Sequence, residues 1–516
     1  MSVSSTSKIR VLINSASGAI TLLINVFFVF WLYQYLLARI PADEFAIYPV
    51  LMVIMMLGPV IISFFASAIS REIIVAYSDG RHDDVTVFHT SIVLALAGFL
   101  SLFALVGFVV ATQIDHLLTV PDTMLVEARL MTMMIVLELC VGLFAGPFST
   151  AFEVRQRFMQ RDVVTLSVNI GKIILTGALL FGLGPNVVWV SVASLTASVV
   201  NATIIIIMAR RMLPEFRIYP ARFSLTKVRS VLSFGAWTSL GTVTMLIYQS
   251  AGPVLLNIYS TPVQVTSFFI GSVFDRRISS LMTVALAPIQ PVMVAMNASG
   301  DWTRLGNTYL RGGRYALWVA MAVATPIFIY AEDFITLYIG DEYQDASTVT
   351  RLFLAGFPVG YADVLLSRMA VATGRIRGFF LGTFVAGALA LITSILVLTY
   401  TDLGAVGVAG SILVTAMIVH LGYFWPLGLS MANTTFSEFL RKVILRGCAP
   451  AVAGSVVWLP TQLMGLSSTW LGLFLWGFIG GFVYIGVLLG FCLSPDERRS
   501  IKGTFDKLRK RAEKAP

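Results

Sequence analysis

Charge is scarce in this sequence, and so are cysteine and histidine. Only 12% of the 516 residues are charged and 57% are hydrophobic, with three cysteines and four histidines. Because soluble domains carry about 25% charged residues, this composition excludes a water-soluble protein. The cysteines lie in apolar runs, which predicts small buried side chains and no disulfide framework. The histidines lack the spacing of metal ligands.

Signatures of nucleotide binding and hydrolysis are also missing. The sequence holds no GxxxxGK[ST], HExxH or GxSxG run. Its longest polar breaks, of about 20 residues, are too short for an additional folded domain. We therefore expect a carrier and not an enzyme or an ATP-driven pump, with no cofactor and no catalytic metal.

Long apolar runs fill the rest of the chain. A helix needs about 20 apolar residues to cross a membrane, so the sequence predicts an all-α, polytopic membrane protein of about 14 transmembrane helices. The predicted spans are 11–38, 45–69, 86–111, 125–152, 162–182, 186–208, 231–257, 263–297, 312–331, 349–372, 378–400, 404–427, 443–463 and 468–492.

The basic residues predict the orientation of these spans. Lys and Arg number 36 against 27 Asp and Glu, and most of them lie in alternate loops and in the tail. The positive-inside rule then places both termini in the cytoplasm. The net charge of +9 is explained by topology, and no nucleic-acid partner is expected. The tail has the pattern of a basic amphipathic helix on an anionic leaflet, or of a solvated segment.

An internal repeat relates two halves of the chain at an offset of about 220 residues. Gly80 corresponds to Gly300, and Arg155 corresponds to Arg375. Each half has an even number of spans, so both enter the membrane from the same side and the repeat is parallel. The predicted domains are an N-terminal six-helix lobe at 1–222, a C-terminal six-helix lobe at 223–439, two additional helices at 440–493 and a basic cytoplasmic tail at 494–516.

Six segments carry a family resemblance. They are FAIY at 45–48, EVRQRFMQRD at 153–162, SFGAWTSL at 233–240, LYIGDEYQDA at 337–346, ATGRIR at 372–377 and LGAVGVA at 403–409. With these segments the chain resembles the polysaccharide and lipid-linked oligosaccharide flippases, of the O-antigen flippase type, in the multidrug/oligosaccharidyl-lipid/polysaccharide exporter superfamily. The resemblance implies two six-helix lobes in a V around a central cavity, with alternating access. Tyr338 stands where the family often has Trp.

The resemblance also implies a function. It indicates a flippase that moves a polyprenyl-diphosphate-linked oligosaccharide, such as an exopolysaccharide, capsule or O-antigen repeat unit, from the cytoplasmic to the periplasmic leaflet of the bacterial inner membrane. The implied partners are this glycolipid, membrane lipids and, as candidates, a polysaccharide polymerase and other assembly proteins. A multidrug or cation antiporter of the same superfamily and a lipid II-type flippase stay open as alternatives.

Charged residues deep in the predicted spans are the candidate functional residues. A charge at the bilayer centre costs about 2.5 to 3.5 kcal/mol, so such residues usually face a cavity or a partner. One guanidinium group can donate two parallel hydrogen bonds to phosphate oxygens. We therefore expect an arginine of the eighth span to hold the diphosphate. The bases are Lys172, Arg276, Arg277 and Arg368, and the candidate coupling acids are Glu138, Asp275 and Asp363.

Internal ion pairs are the alternative role for these charges. Lys172 with Glu138 and Arg368 with Asp363 are the pairs that the sequence suggests. Small polar residues at helical spacing add three candidates for a cavity lining, Asn25 in the first span and Thr242 and Gln249 in the seventh. Such residues either line a wet cavity or pack helices together.

Overall fold

The computed structural model describes residues 27–61, 73, 76–77, 79–155, 157–229, 251–286, 289–494 and 497–499. These residues form helices and turns, and no strand occurs among them, so the all-α prediction is confirmed. The chain divides into two compact units, Met1–Thr266 and Ser267–Pro516. The four predicted domain boundaries stay predictions.

Ten helices among the described residues are long and apolar enough to cross a membrane. The prediction of a multi-pass membrane protein is confirmed, whereas the count of about 14 spans stays a prediction. The first and seventh predicted spans lie largely outside the described residues. The ten helices are Ala42–Ile61, His82–Thr112, Asp122–Val154, Met159–Leu183, Val188–Met212, Trp302–Ile329, Ile376–Tyr400, Gly404–Ala432, Phe436–Leu463 and Trp470–Cys492.

The first unit is organised around one central helix. Leu125–Val154 packs against both His82–Thr112 and Val188–Met212. Its fully buried Phe148 and Phe152 contribute to the apolar core. The α-helices of this unit are Ala42–Leu51, His82–Thr112, Ile114–Leu117, Leu125–Val154, Phe158–Leu183 and Val188–Met212, and its 3-10 turns are Met52–Met56, Asp122–Met124, Pro214–Phe216 and Pro220–Arg222.

The chain from residue 262 onward has more, shorter helices. Its α-helices are Pro262–Gly271, Val273–Leu286, Ile289–Ala298, Trp302–Ile329, Ala331–Ile339, Gln344–Ala355, Phe357–Gly360, Leu366–Thr373, Ile376–Tyr400, Gly404–Val419, Trp425–Ala432, Phe436–Phe439, Arg446–Leu463 and Trp470–Val487. A 3-10 turn covers Asp341–Tyr343, and π-helical turns cover His420–Phe424, Leu440–Leu445 and Leu488–Cys492.

Two predicted spans of the second unit are broken into shorter helices. The eighth, 263–297, is interrupted at Ser272, between the helices Pro262–Gly271 and Val273–Leu286. The tenth, 349–372, is interrupted by turns at 361–365. Irregular backbone at membrane depth occurs where it is buried in protein or lines a cavity. These breaks therefore mark the part of the unit in which a functional site is expected.

The ninth span begins earlier than its apolar run. We predicted a start at residue 312, but the helix begins at Trp302, where the Asp301 carboxylate accepts a hydrogen bond from the Arg304 backbone N–H at 3.0 Å. Such an N-cap satisfies a helix-end donor that would otherwise lack a partner. The difference arises because apolar length marks the part of a helix in hydrocarbon, and a helix can continue beyond it.

The predicted repeat has a structural counterpart at two glycines. Gly80 has φ 74° and Gly300 has φ 71°, a left-handed backbone that favours glycine. In each half a long helix begins two residues later, at His82 and at Trp302. The two halves therefore enter these helices through the same turn.

The last two spans belong to the second unit by their packing. Arg446–Leu463 packs against Trp302–Ile329, and Trp470–Val487 packs against Arg446–Leu463. The fully buried Trp458 donates from its indole N–H to the Gly477 carbonyl at 3.2 Å. The Tyr484 hydroxyl donates to the Trp318 carbonyl at 2.7 Å.

Candidate functional site

The charges of the broken eighth span have different surroundings. Arg276 donates a hydrogen bond to the Phe269 carbonyl at 2.9 Å, and its guanidinium carbon lies 4.6 Å from the centre of the Phe269 ring. Asp275 interacts electrostatically with Arg276. Arg276 is therefore held against the preceding turns of its own segment.

Arg277 differs from its neighbour. Its side chain is half-buried, and it forms no hydrogen bond or ion pair with any residue that the structure describes. Successive side chains on a helix point about 100° apart, so Arg277 need not share the contacts of Arg276. Among the predicted bases of this unit, Arg277 has the guanidinium group that is most available to an anionic ligand.

Arg368 donates hydrogen bonds to the backbone of the broken eighth span. Its Nε donates to the Leu286 carbonyl at 3.1 Å, and a terminal nitrogen donates to the Thr283 carbonyl at 3.5 Å. Both carbonyls belong to the helix Val273–Leu286, so Arg368 links the tenth predicted span to the eighth. Among the described residues Arg368 forms no ion pair with Asp363, whose partner is His420.

Asp363 pairs with a histidine that the sequence did not single out. Its Oδ2 lies 2.8 Å from His420 Nδ1, and Asp363 itself is 3% exposed. Asp363 lies in the turns that interrupt the tenth span, and His420 begins the π-helical turn His420–Phe424. Such π turns are frequent at functional sites. The signal in the sequence that could have identified His420 is its position within an apolar run. Comparison of the histidines with the spacing of metal ligands does not detect such a residue.

Two tyrosines belong to this region of the second unit, and one of them interacts with the pair. The buried Tyr309 hydroxyl interacts electrostatically with Asp363 and has no hydrogen-bond partner among the described residues. The Tyr361 hydroxyl shares a hydrogen bond with Ser279 at 3.1 Å, which ties the broken tenth span to the broken eighth. The second unit thus brings Asp363, His420 and Tyr309 together, beside the segment that carries Arg277.

In the first unit, Glu138 and Lys172 are neighbours. Both side chains are half-buried, and they interact electrostatically. Within the described residues they form no direct ion pair, so the suggested pair exists only as a longer-range attraction. The Ser198 hydroxyl donates to the Glu138 carbonyl at 3.1 Å and fixes the helix that carries this acid.

The remaining predicted lining residues, Asn25, Thr242 and Gln249, lie outside the described residues. Among the residues that are described, no group of three or more His, Cys, Asp or Glu side chains could hold a metal ion. The charges described above therefore form the candidate site.

Residues 36–348 match the family model described as "Polysaccharide biosynthesis protein". The chain belongs to this family. The match covers more than half of the chain and includes most of the first unit, the broken eighth span and the helix Trp302–Ile329. No curated protein matches the sequence significantly.

Solved structures show which fold this chain has. It is similar to the lipid II flippase MurJ in an inward closed conformation, with a TM-score of 0.67 and 14% identity over 91% of this chain and 98% of that one. It is also similar to an inward-facing multidrug resistance MATE family transporter of the MOP superfamily, with a TM-score of 0.65 and 15% identity over 78% and 94% of the two chains.

A third similar structure comes from Pyrococcus furiosus. It is a MOP superfamily transporter whose binding pocket is described as reversed in polarity, with a TM-score of 0.58 and 17% identity over 82% of this chain and 96% of that one. The chain thus has a polytopic fold like that of MOP superfamily transporters. The predicted family is confirmed by the family model, and the predicted polytopic fold is confirmed by the similar structures. The expectation of a carrier rather than an enzyme stays a prediction.

Proposed function

We propose that this protein is a flippase for a polyprenyl-diphosphate-linked oligosaccharide. It moves the glycolipid from the cytoplasmic to the periplasmic leaflet of a bacterial inner membrane by alternating access, with both of its own termini in the cytoplasm. The observation that supports this most is the family match over residues 36–348, because polysaccharide synthesis requires glycan units to cross that membrane. The transporter fold supports the same proposal.

Arg277 is the residue that we propose to contact the diphosphate. It is half-buried within a span and has no partner among the described residues, an arrangement that is costly unless a ligand or water compensates the charge. A diphosphate supplies the paired oxygen acceptors that a guanidinium group prefers. Arg276, Arg368 and Lys172 stay candidates for weaker, longer-range attraction.

The Asp363–His420 pair is our proposed coupling group. The two side chains meet at 2.8 Å in a broken span, and a bound proton can change the charge of either one. Transport of the anionic diphosphate out of a negative interior releases about 2.3 kcal/mol per charge per 100 mV. A proton exchanged at this pair would add to that driving force.

Deletion of the gene in its own host tests the proposal. Loss of the flippase should leave polyprenyl-diphosphate-linked repeat units on the cytoplasmic leaflet, which can be measured by extraction of lipid-linked sugars and by their accessibility in spheroplasts. Unchanged lipid-linked sugars together with altered drug sensitivity would support the antiporter instead. Trapped lipid II in place of repeat units would support the lipid II-type flippase.

Complementation then tests the site. Arg277→Gln should insert normally and fail to release the trapped glycolipid. The matched control is Arg311→Gln. It removes the same charge, but from an exposed arginine on the helix Trp302–Ile329. If Arg277→Gln restores export as well as the control does, Arg277 does not bind the diphosphate.

A further inference from the structure

A basic hollow opens at one end of the first unit. It has a volume of about 520 Å³ and is lined by Ile207, Arg210, Arg211, Arg217 and Ile218. Arg210 and Arg211 belong to the last turn of the helix Val188–Met212, and Arg217 directly follows the 3-10 turn Pro214–Phe216. The hollow is therefore built by a helix end and by the chain that folds back beside it.

Buried anchors hold this returning chain in place. Leu213 and Phe216 are fully buried. The Phe216 ring stacks on the His89 ring at a centroid distance of 4.1 Å, so Arg217 follows directly from an anchored residue. Further along, the Tyr219 N–H donates to Thr90 Oγ1 at 3.3 Å. The position of Arg217 relative to the helix end is thus set by the fold.

The nearby acids have other partners. Glu215 pairs with His82 at 2.8 Å. Asp83 pairs with Arg222 at 2.9 Å. Within the part of the chain that the structure describes, no carboxylate forms an ion pair with the three arginines of the hollow. Their positive charges are therefore left for a ligand.

Arg210 has one contact that orients its side chain. Its guanidinium carbon lies 5.6 Å from the centre of the Phe148 ring, within the range of a cation–π interaction. This contact leaves the N–H donors at the guanidinium edge open to hydrogen bonding. Phe148 also contacts the His89 ring at a centroid distance of 4.8 Å. The aromatic rings that anchor the returning chain therefore also position Arg210 in the wall of the hollow.

The chemistry of the lining identifies a class of ligand. Guanidinium groups bind phosphate oxygens in a paired geometry, and basic pockets at the cytoplasmic ends of transmembrane helices bind anionic lipid head groups. The exposed Ile207 and the half-buried Ile218 add apolar surface beside the charges. A ligand with phosphate next to a hydrocarbon chain matches both features.

We propose that this arginine hollow binds the phosphate head group of a membrane lipid. The site lies on helix Val188–Met212 and its following chain, apart from the intramembrane charges, and does not depend on the proposed transport function. The phosphate can come from a resident anionic phospholipid or from a polyprenyl diphosphate. Both sources present the same group to the arginines.

Binding to the purified full-length protein in a neutral detergent tests the proposal. The probes are phosphatidylglycerol, farnesyl diphosphate, inorganic diphosphate and neutral phosphatidylcholine, and the bound fraction is measured by native mass spectrometry. The test variant is Arg211→Gln with Arg217→Gln. The matched control is Lys227→Gln with Arg229→Gln, which removes the same charge from residues outside the hollow.

We expect the test variant to bind the preferred phosphate lipid at least tenfold more weakly, with the control within twofold of the parent. Preference for phosphatidylglycerol assigns a resident phospholipid, and preference for farnesyl diphosphate assigns a polyprenyl diphosphate. Equal binding by the test variant and the control overturns the proposal. So does binding of inorganic diphosphate as tight as that of either lipid, or binding of phosphatidylcholine as tight as that of the preferred phosphate lipid. Arg211→Lys with Arg217→Lys retains the charges and should bind better than the glutamine variant.

Discussion

Glu497 offers a prediction whose size follows from the structure. It lies just after the last span, where its carboxylate accepts hydrogen bonds from the Arg314 guanidinium, from the Tyr315 hydroxyl and from the Ser494 backbone N–H, the last at 2.7 Å. Arg314 is 4% exposed and Glu497 is 7% exposed. This buried ion pair joins the end of the last span to the helix Trp302–Ile329.

Replacing Glu497 by Gln keeps the shape of the side chain and removes its charge. The Arg314 guanidinium is then left buried without its anion. Removal of one partner from a buried ion pair costs about 3 to 5 kcal/mol. Since every 1.4 kcal/mol is a factor of ten, local opening of this segment should become roughly 100 to 4,000 times more frequent.

Cys492 provides the assay. It is 4% exposed, ends the π-helical turn Leu488–Cys492 and precedes Glu497 by five residues in the sequence. The chain holds three cysteines, so Cys140→Ala and Cys448→Ala leave Cys492 as the single thiol. In that background, Glu497→Gln should raise the rate of maleimide labelling about 100-fold or more. Rates are normalised to those of the denatured proteins, which removes differences in thiol reactivity.

The double variant Arg314→Met with Glu497→Leu is the control. It removes both charges, and apolar replacement of a whole buried pair is often neutral or stabilising, so labelling should stay near the parental rate. A labelling rate for Glu497→Gln within threefold of the parent would refute the view that this ion pair secures the last span.

Three further predictions follow from other contacts. Burial raises the pKa of Glu497, but hydrogen bonds from Tyr315 and Ser494 and the charge of Arg314 outweigh burial and lower it. The ionised Glu497 should therefore stabilise the fold fully at neutral pH, and this stabilisation should be lost as the pH falls through the lowered pKa. The melting temperature of the parent should show this acid step, and that of Glu497→Gln should not. Gly480→Ala should destabilise by about 1 to 3 kcal/mol, because its Cβ would lie 2.1 Å from the Trp458 indole nitrogen, whereas Gly481→Ala meets no atom within 4 Å and should melt like the parent. Asp363→Asn and His420→Gln should each make transport insensitive to an imposed pH gradient in vesicles while a membrane potential still drives it; a parental response to pH in both variants would contradict the coupling role.

The sequence predicts those features of the fold that depend on local properties of the chain, and it does not predict those that depend on a particular backbone conformation or hydrogen bond. Apolar length and the Gly80–Gly300 correspondence predict helices and a repeat because both are local properties of the chain. The start of the ninth helix at Trp302, ahead of the predicted apolar span at 312–331, depends on an Asp301 cap and not on hydropathy, so the sequence pattern did not predict it. The apolar pattern also did not predict the breaks in the eighth and tenth spans, because hydropathy does not depend on backbone conformation.

The candidate site could be predicted only in part. Deep charges are visible in a sequence because they interrupt apolar runs, and Arg277 was found in this way. Partners are tertiary contacts, so neither the Asp363–His420 pair nor the Arg314–Glu497 pair could be deduced from spacing. Arg314 was not among the predicted intramembrane charges, although the helix Trp302–Ile329 buries it.

Reconstitution tests the central claim most directly. The purified protein is placed in vesicles that carry a polyprenyl-diphosphate-linked oligosaccharide in the inner leaflet, and an added lectin reports the glycan that reaches the outer surface. We predict transfer by the parent and by Arg311→Gln, and little above protein-free vesicles by Arg277→Gln. Parental protein that leaves the glycan inaccessible, in vesicles with an imposed membrane potential and pH gradient, would contradict the account.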